Sequence, residues 1–189
     1  AAALIQDRKV LRYIGKKYIT ARREMGFLVP SKGYEYATIK GHKCAIIVGD
    51  DLSRERDFDQ SVETVISINA RKYGKGTMTY RYEMMRNLAF VESKNLVLVN
   101  QVGGSTDIVY DGTSGALNSR GELVLMMKNF EEDFQIFDTK ASARPITIPS
   151  TYNDRTRLVY EAARCGLRDF FRKNGYRKAS IGLSGGIDS

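Results

Sequence analysis

Histidine occurs once in these 189 residues, cysteine twice and tryptophan not at all. With His42, Cys44 and Cys165 as the only histidine and cysteines, neither a zinc set nor a disulfide framework is expected. That scarcity favours a reducing, cytoplasmic setting. Long hydrophobic runs are missing too. The opening Ala1-Ala2-Ala3-Leu4-Ile5 is too short for a membrane span and lacks the basic start of a secretory signal, so no membrane partner is expected. Only three prolines are present, and Pro145 and Pro149 share one unpatterned stretch, residues 139–151, which reads as a linker.

Charge is plentiful and unbalanced: 30 Lys and Arg against 22 Asp and Glu, a net +8. The basic residues fall in scattered pairs, Lys16-Lys17, Arg22-Arg23, Arg71-Lys72 and Arg172-Lys173. Neither a long basic run nor a nucleic-acid motif is present, so no nucleic-acid partner is expected. The pairs read as solvated surface that also attracts anionic nucleotides. A hydrophobic content of 42% is ordinary for a soluble globular chain.

Residues 4–6 and 10–14, around a polar Asp7-Arg8 turn, read as a β-hairpin, and a polar, glycine-containing loop follows. The strongest strand signal is Cys44-Ala45-Ile46-Ile47-Val48, a continuous apolar run suited to burial on both faces. Residues 65–70 and 96–99 are further strands. Between them, residues 77–94 read as a helix with Met78, Tyr82, Met85 and Ala89 on one face and Met84, Leu88 and Val91 beside it. Two strands pair around Asn118-Ser119-Arg120-Gly121, and residues 134–137 form a short last one. Such alternation indicates α/β or α+β layers. Beyond the linker, Asn153 or Asp154 caps a helix whose core stripe is Val159, Ala162, Ala163, Leu167, Phe170 and Phe171, and Asn174-Gly175 ends it. The expected division is 1–138, the linker 139–151, and the start of a second domain at 152–189.

The last residues carry the sharpest chemical signal. An apolar run at residues 179–183, read as a buried strand, feeds Ser184-Gly185-Gly186-Ile187-Asp188-Ser189. Glycines let backbone N–H groups turn toward an anion, and a helix beginning after Asp188 would aim its positive end at the same spot. A Gly-Gly turn with an Asp cap would look the same in any α/β protein. The run has no Gly-Lys-Ser/Thr ending, so it is not the common nucleoside-triphosphate loop. It resembles instead the Ser-Gly-Gly-x-Asp-Ser loop of ATP pyrophosphatases, which cleave ATP to AMP and pyrophosphate.

A second region narrows the resemblance. Val99-Asn100-Gln101-Val102-Gly103-Gly104, then Ile108-Val109-Tyr110-Asp111-Gly112, looks like the late part of a nitrilase-type glutamine amidohydrolase domain. Gly166-Leu167-Arg168-Asp169 through Lys173-Asn174-Gly175-Tyr176 into Gly182-Leu183-Ser184 is similar to the start of a synthetase domain. That order resembles the glutamine-dependent NAD synthetase family. GMP synthetase and asparagine synthetase share the ATP loop but pair it with unrelated glutaminase folds. The resemblance implies an incomplete nitrilase-like α-β-β-α sandwich, then the first helix and strand of a Rossmann-like adenine nucleotide α-hydrolase domain. It also implies a chemistry: a Glu-Lys-Cys triad releases ammonia from glutamine, and ATP with Mg2+ adenylylates deamido-NAD before ammonia displaces AMP. Homo-oligomers are implied as well.

Carried over residue by residue, Lys16 stands at the triad lysine, a few residues after Lys9-Val10-Leu11, and would stabilise an oxyanion. As a bare residue it could equally be a solvated lysine on a hairpin edge. Glu24 corresponds to a second glutamate of that loop, and the general-base glutamate has no counterpart in the residues present. The family pattern Ile-Cys-Glu-Asp-Leu reads here as Val48-Gly49-Asp50-Asp51-Leu52, which puts Gly49 at the nucleophile. Cys44 lies five residues upstream, roughly 16 Å along the strand, and reads as a buried hydrophobe. Asp50 and Lys75 align with glutamine contacts, and Arg71 falls where a glutamine-contacting serine is expected. Gly182, Leu183, Ser184, Gly185, Gly186, Ile187, Asp188 and Ser189 match the ATP loop, with Asp188 beside magnesium.

The resemblance thus implies an NAD synthetase whose glutaminase site is degenerate. Two other readings remain: a non-catalytic nitrilase-like assembly or docking module, and a basic nucleic-acid-binding or tRNA-modifying ATP pyrophosphatase.

Overall fold

The computed structural model describes residues 1–19, 22–54, 57–140 and 144–187, and the side chains of Arg22, Arg23 and Asp50 fall outside that description. The chain begins with a hairpin of β1 (Ala2–Gln6) and β2 (Lys9–Ile14), turned at Asp7 and Arg8 with φ of +50° and +62°. Two consecutive left-handed residues give the turn whose twist matches the paired strands. A short helix α1 (Arg22–Met25) follows. Then come β3 (Glu35–Ile39), β4 (His42–Val48), β5 (Thr64–Asn69), helix α2 (Thr77–Glu92) and β6 (Asn95–Asn100). They are followed by β7 (Val102–Ser105), β8 (Ile108–Asp111), β9 (Gly115–Leu117), β10 (Leu123–Met126) and helix α3 (Arg155–Asn174).

The main sheet has the order β10-β9-β6-β5-β4-β3, with β4, β5 and β6 parallel and each outer strand antiparallel to its neighbour. The apolar run of β4 explains its central place. Ala45 and Ile47 join Val65, Leu96 and Leu98 under Met85, Leu88 and Ala89 of α2. On the opposite face Cys44 and Ile46 pack with Ile14 of β2 and Ala37 of β3. The strand is therefore covered on both faces. Hairpin β7–β8 stands apart from the sheet, and α3 lies against it through Leu158, Ala162 and Cys165, which pack with Phe130 and Val109.

Besides the β7–β8 hairpin, for which no strands were expected, four elements differ from the sequence expectation. β3 lies where a polar loop was expected, because only Ala37 of its side chains is fully buried and the apolar pattern is faint. Residues 134–137 form no strand, and Phe134 is 83% exposed. Residues 179–183 also form no strand: Ile181 is 78% exposed, and no described strand lies alongside to complete a ladder. Helix α3 is capped by Asp154, whose carboxylate accepts from Arg157 N at 3.1 Å, and Gly175 ends it at φ +70°. Its buried face is nevertheless Leu158, Ala162, Cys165 and Asp169, while Val159, Leu167 and Phe170 face solvent.

Candidate active site

The parallel strands β4, β5 and β6 end level with one another, Val48 opposite Ile68 and Asn69 opposite Asn100. Ligands of open α/β sheets gather at such carboxyl edges. Immediately past Val48 the chain turns through Gly49 at φ +63°, into a 3-10 turn over Gly49–Ser53. A Cβ placed on Gly49 would stand 3.5 Å from Lys16 Cε and 3.6 Å from Lys16 Nζ. The Lys16 side chain is largely buried, and its Nζ donates to Glu24 Oε2 at 2.7 Å. Lys16, Glu24 and Gly49, separated in sequence, therefore meet at one place.

The loop that carries Lys16 is held from two sides. Asp51, itself buried, accepts from Lys17 N and Tyr18 N, each at 2.8 Å. Glu35 of β3 accepts from Gly15 N at 3.1 Å, and Ser31 N donates to Lys16 O at 2.9 Å. Lys17 also lies 4.0 Å over the Tyr34 ring, a cation–π contact that further orders the loop. A side chain projecting from position 49 would meet a pre-placed ammonium. Were it a thiol, that charge would favour the thiolate and stabilise an oxyanion. Glycine supplies no atom for either task.

Cys44 does not replace it. The thiol is buried with Ile14, Ala37 and Ile46, and its Sγ points to His42 O at 3.7 Å. Burial, and then the nearby Glu63 carboxylate, push its pKa up, so it stays a thiol at neutral pH.

Other sequence candidates are placed elsewhere. Lys75 lines a cleft of about 690 Å³ with Tyr73, Arg155 and Leu158, whose walls do not include Lys16, Glu24 or Gly49. Tyr73 N donates to Val109 O at 2.7 Å, tying the loop before α2 to β8. The backbone of Arg71 is fixed by Asn100, whose Oδ1 accepts from Arg71 N at 2.8 Å. The side chain of Asp50 lies outside the described residues, as do Asp188 and Ser189. In the loop before them Gly185 adopts φ +82° and Gly186 N donates to Ser184 Oγ at 3.3 Å, so the Gly-Gly turn is formed. Gly182 to Ile187 are all exposed. Among the described residues no three His, Cys, Asp or Glu side chains gather to hold a metal ion. No helix of the described residues is long and apolar enough to cross a membrane.

No family model matches the chain. The glutamine-dependent NAD(+) synthetase of Acinetobacter baylyi is 28% identical across 100% of it, and that of Synechocystis sp. is 31% identical across 82%. The solved structure of the Acinetobacter baumannii enzyme, in complex with ADP, superposes on 98% of the chain at 26% identity with a TM-score of 0.78. The chain belongs to the glutamine-dependent NAD synthetase family. It spans 31% to 37% of the length of these relatives. A carbon-nitrogen hydrolase from Helicobacter pylori, 18% identical with a TM-score of 0.57 over 67% of the chain, has the same fold over that part.

Against this NAD synthetase background, the residues that sequence reasoning missed are the ones that hold others in place. Asp51 was visible in the Gly49-Asp50-Asp51-Leu52 match, but its partners Lys17 and Tyr18 are more than thirty positions away. Asn100 donates from Nδ2 to Asp111 Oδ1 and to Gly112 O, and Asp111 pairs with the buried Arg81 of α2. Arg81 gave no signal, because an arginine on a helix is usually solvated.

Proposed function

We propose that this chain is part of an enzyme that converts deamido-NAD to NAD with ATP, and that its glutaminase site is inactive. The observation that carries the second half is Gly49. A Cβ at that position would stand 3.6 Å from the Lys16 ammonium nitrogen, yet glycine places no side chain there. Attack on the glutamine amide needs a nucleophile that forms a thioester and expels ammonia, and Gly49 has none. Family membership supports the first half.

In this reading the nicotinate carboxylate oxygen attacks the α-phosphorus of ATP and pyrophosphate leaves. Free ammonia then attacks the acyl carbon, and AMP departs with the bonding electrons. A carboxylate is a poor electrophile, and the mixed anhydride supplies the leaving group it lacks. The turn at Ser184, Gly185 and Gly186 would present backbone N–H groups to the pyrophosphate. Magnesium would enter with the nucleotide, and Asp188 is the residue expected beside it. Lys16 and Glu24 would remain as an ion pair at the edge of a surviving glutamine pocket. A homo-oligomer belongs to this proposal, supported by the exposed apolar side chains Val159, Leu167 and Phe170 of α3. A reducing cytoplasm suits two buried free thiols.

A glutamine-derived chloroketone tests the glutaminase half. The expected outcome is no adduct on either cysteine and no glutamate release from glutamine. A covalent adduct on Cys44 would overturn it. The second reading, a non-catalytic assembly or docking module, draws on the same missing side chain. Titration calorimetry separates the two: retained glutamine binding favours a surviving pocket, and none favours the module.

A further inference from the structure

Helix α3 buries the face that its composition does not favour. Leu167 and Phe170 are 62% and 51% exposed, while Asp169 between them is 1% exposed. A helix free to turn about its axis would hide the leucine and phenylalanine and leave the carboxylate in water. Something must therefore receive the carboxylate. That partner is the backbone of β7. Asp169 Oδ2 accepts from Gly104 N at 2.7 Å, and one turn later Lys173 Nζ donates to Gly104 O. Both polar groups of one residue, on a strand edge that faces away from β8, are thus met by two side chains of α3.

The approach is close, strained for any side chain at Gly103 and tight at Gly104 and Gly166. A Cβ on Gly103, at φ +110°, would lie 2.7 Å from Asp169 Oδ2. A Cβ on Gly104 would lie 3.0 Å from Gly166 Cα, and one on Gly166 would lie 3.1 Å from Val109 Cγ2. Arg168 Nε donates to the second carboxylate oxygen, Oδ1, at 3.1 Å, so the buried charge is compensated. The polar contact accounts for a rotational setting that hydrophobicity alone would not select.

We propose that Asp169 and Lys173 form a latch on Gly104 that sets the rotation of α3 against the nitrilase-like unit.

Cys165 is a built-in reporter, buried on the inner face of α3 one turn before Asp169, and Cys44, buried beside the sheet, is the control. Alkylation of both thiols in the intact chain is followed by mass spectrometry. In D169L, which fills the volume but offers no acceptor, Cys165 reacts at least tenfold faster than in the unmodified chain while Cys44 is unchanged. In D169N, which keeps an acceptor for Gly104 N–H, the Cys165 rate stays within about threefold. Because both variants remove the charge near Cys165, their difference reports the hydrogen bond and not the thiol's acidity. Equal Cys165 rates in D169L and the unmodified chain, or in D169L and D169N, overturn the proposal. If Cys44 also becomes fast in D169L, the chain has unfolded and K173M decides. There a faster Cys165 with unchanged Cys44 supports the latch, and an unchanged Cys165 overturns it.

Discussion

Lys16 and Gly49 face each other across the carboxyl edge of the sheet, with 3.6 Å between the amine and the position a Cβ would take. Thirty-three residues separate them in sequence, and the loop of one is anchored to the strand end of the other through Asp51. The Lys16 amine is held by Glu24, and Gly49 places no side chain beside it. On the function proposed above, that combination is what a glutaminase frame without its nucleophile would look like.

The frame itself is expected to depend on Asp51. Its carboxylate accepts two backbone N–H groups, and bonds to a charged acceptor are worth about 1.5–3 kcal/mol each. D51A is predicted to lose about 2–4 kcal/mol of stability in urea denaturation, with faster amide exchange at Lys17 and Tyr18. D51N keeps one acceptor oxygen and should lose roughly half as much.

The buried pair of Arg81 and Asp111 lies under α2, and both arms of the guanidinium reach the carboxylate. Removing one partner leaves a buried charge uncompensated, so R81M and D111L are each expected to cost about 3–5 kcal/mol. The double variant R81M/D111L should cost clearly less than the sum of the two. Chemical denaturation of the three proteins checks this, and simple additivity would count against a paired role.

Acid should loosen α3 in a defined window. Burial pushes the Asp169 carboxyl up, but Gly104 N–H, then Arg168 and Arg172, outweigh it and hold the pKa below the ordinary 3.8. A depressed folded pKa means the contribution is fully present above the unfolded value and is lost as pH falls through the folded one. Denaturation midpoints recorded between about pH 5 and pH 2 should therefore fall less steeply for D169N than for the unmodified chain. Equal slopes would show that Asp169 is not the group responsible.

Elements that announced themselves by pattern were legible in the sequence. The apolar run of β4, the Asp7-Arg8 hairpin turn and the start of α2 at Thr77 all followed from local composition. Gly49 was legible because a motif frames it. β3 was not, since an edge strand with one fully buried side chain lacks the alternation that identifies strands. The α3 stripe was misassigned because hydrophobic spacing cannot show a backbone partner for Asp169, 65 residues away. Residues 179–183 carry strand propensity, but a strand needs a neighbour to pair with. Lys75 was grouped with Lys16 by alignment alone, and it lines a cleft with Tyr73 and Arg155.

The most direct measurement places a thiol at position 49. Gly49→Cys carries an L side chain at φ +63°, at a cost of about 1–2 kcal/mol, which the fold should tolerate. With the Lys16 ammonium alongside, the new thiol should react with iodoacetamide at neutral pH at least tenfold faster than Cys44, and K16M should remove most of that advantage. An introduced thiol no faster than Cys44, or one indifferent to Lys16, would mean that position 49 does not face the amine and that no nucleophile has been lost there.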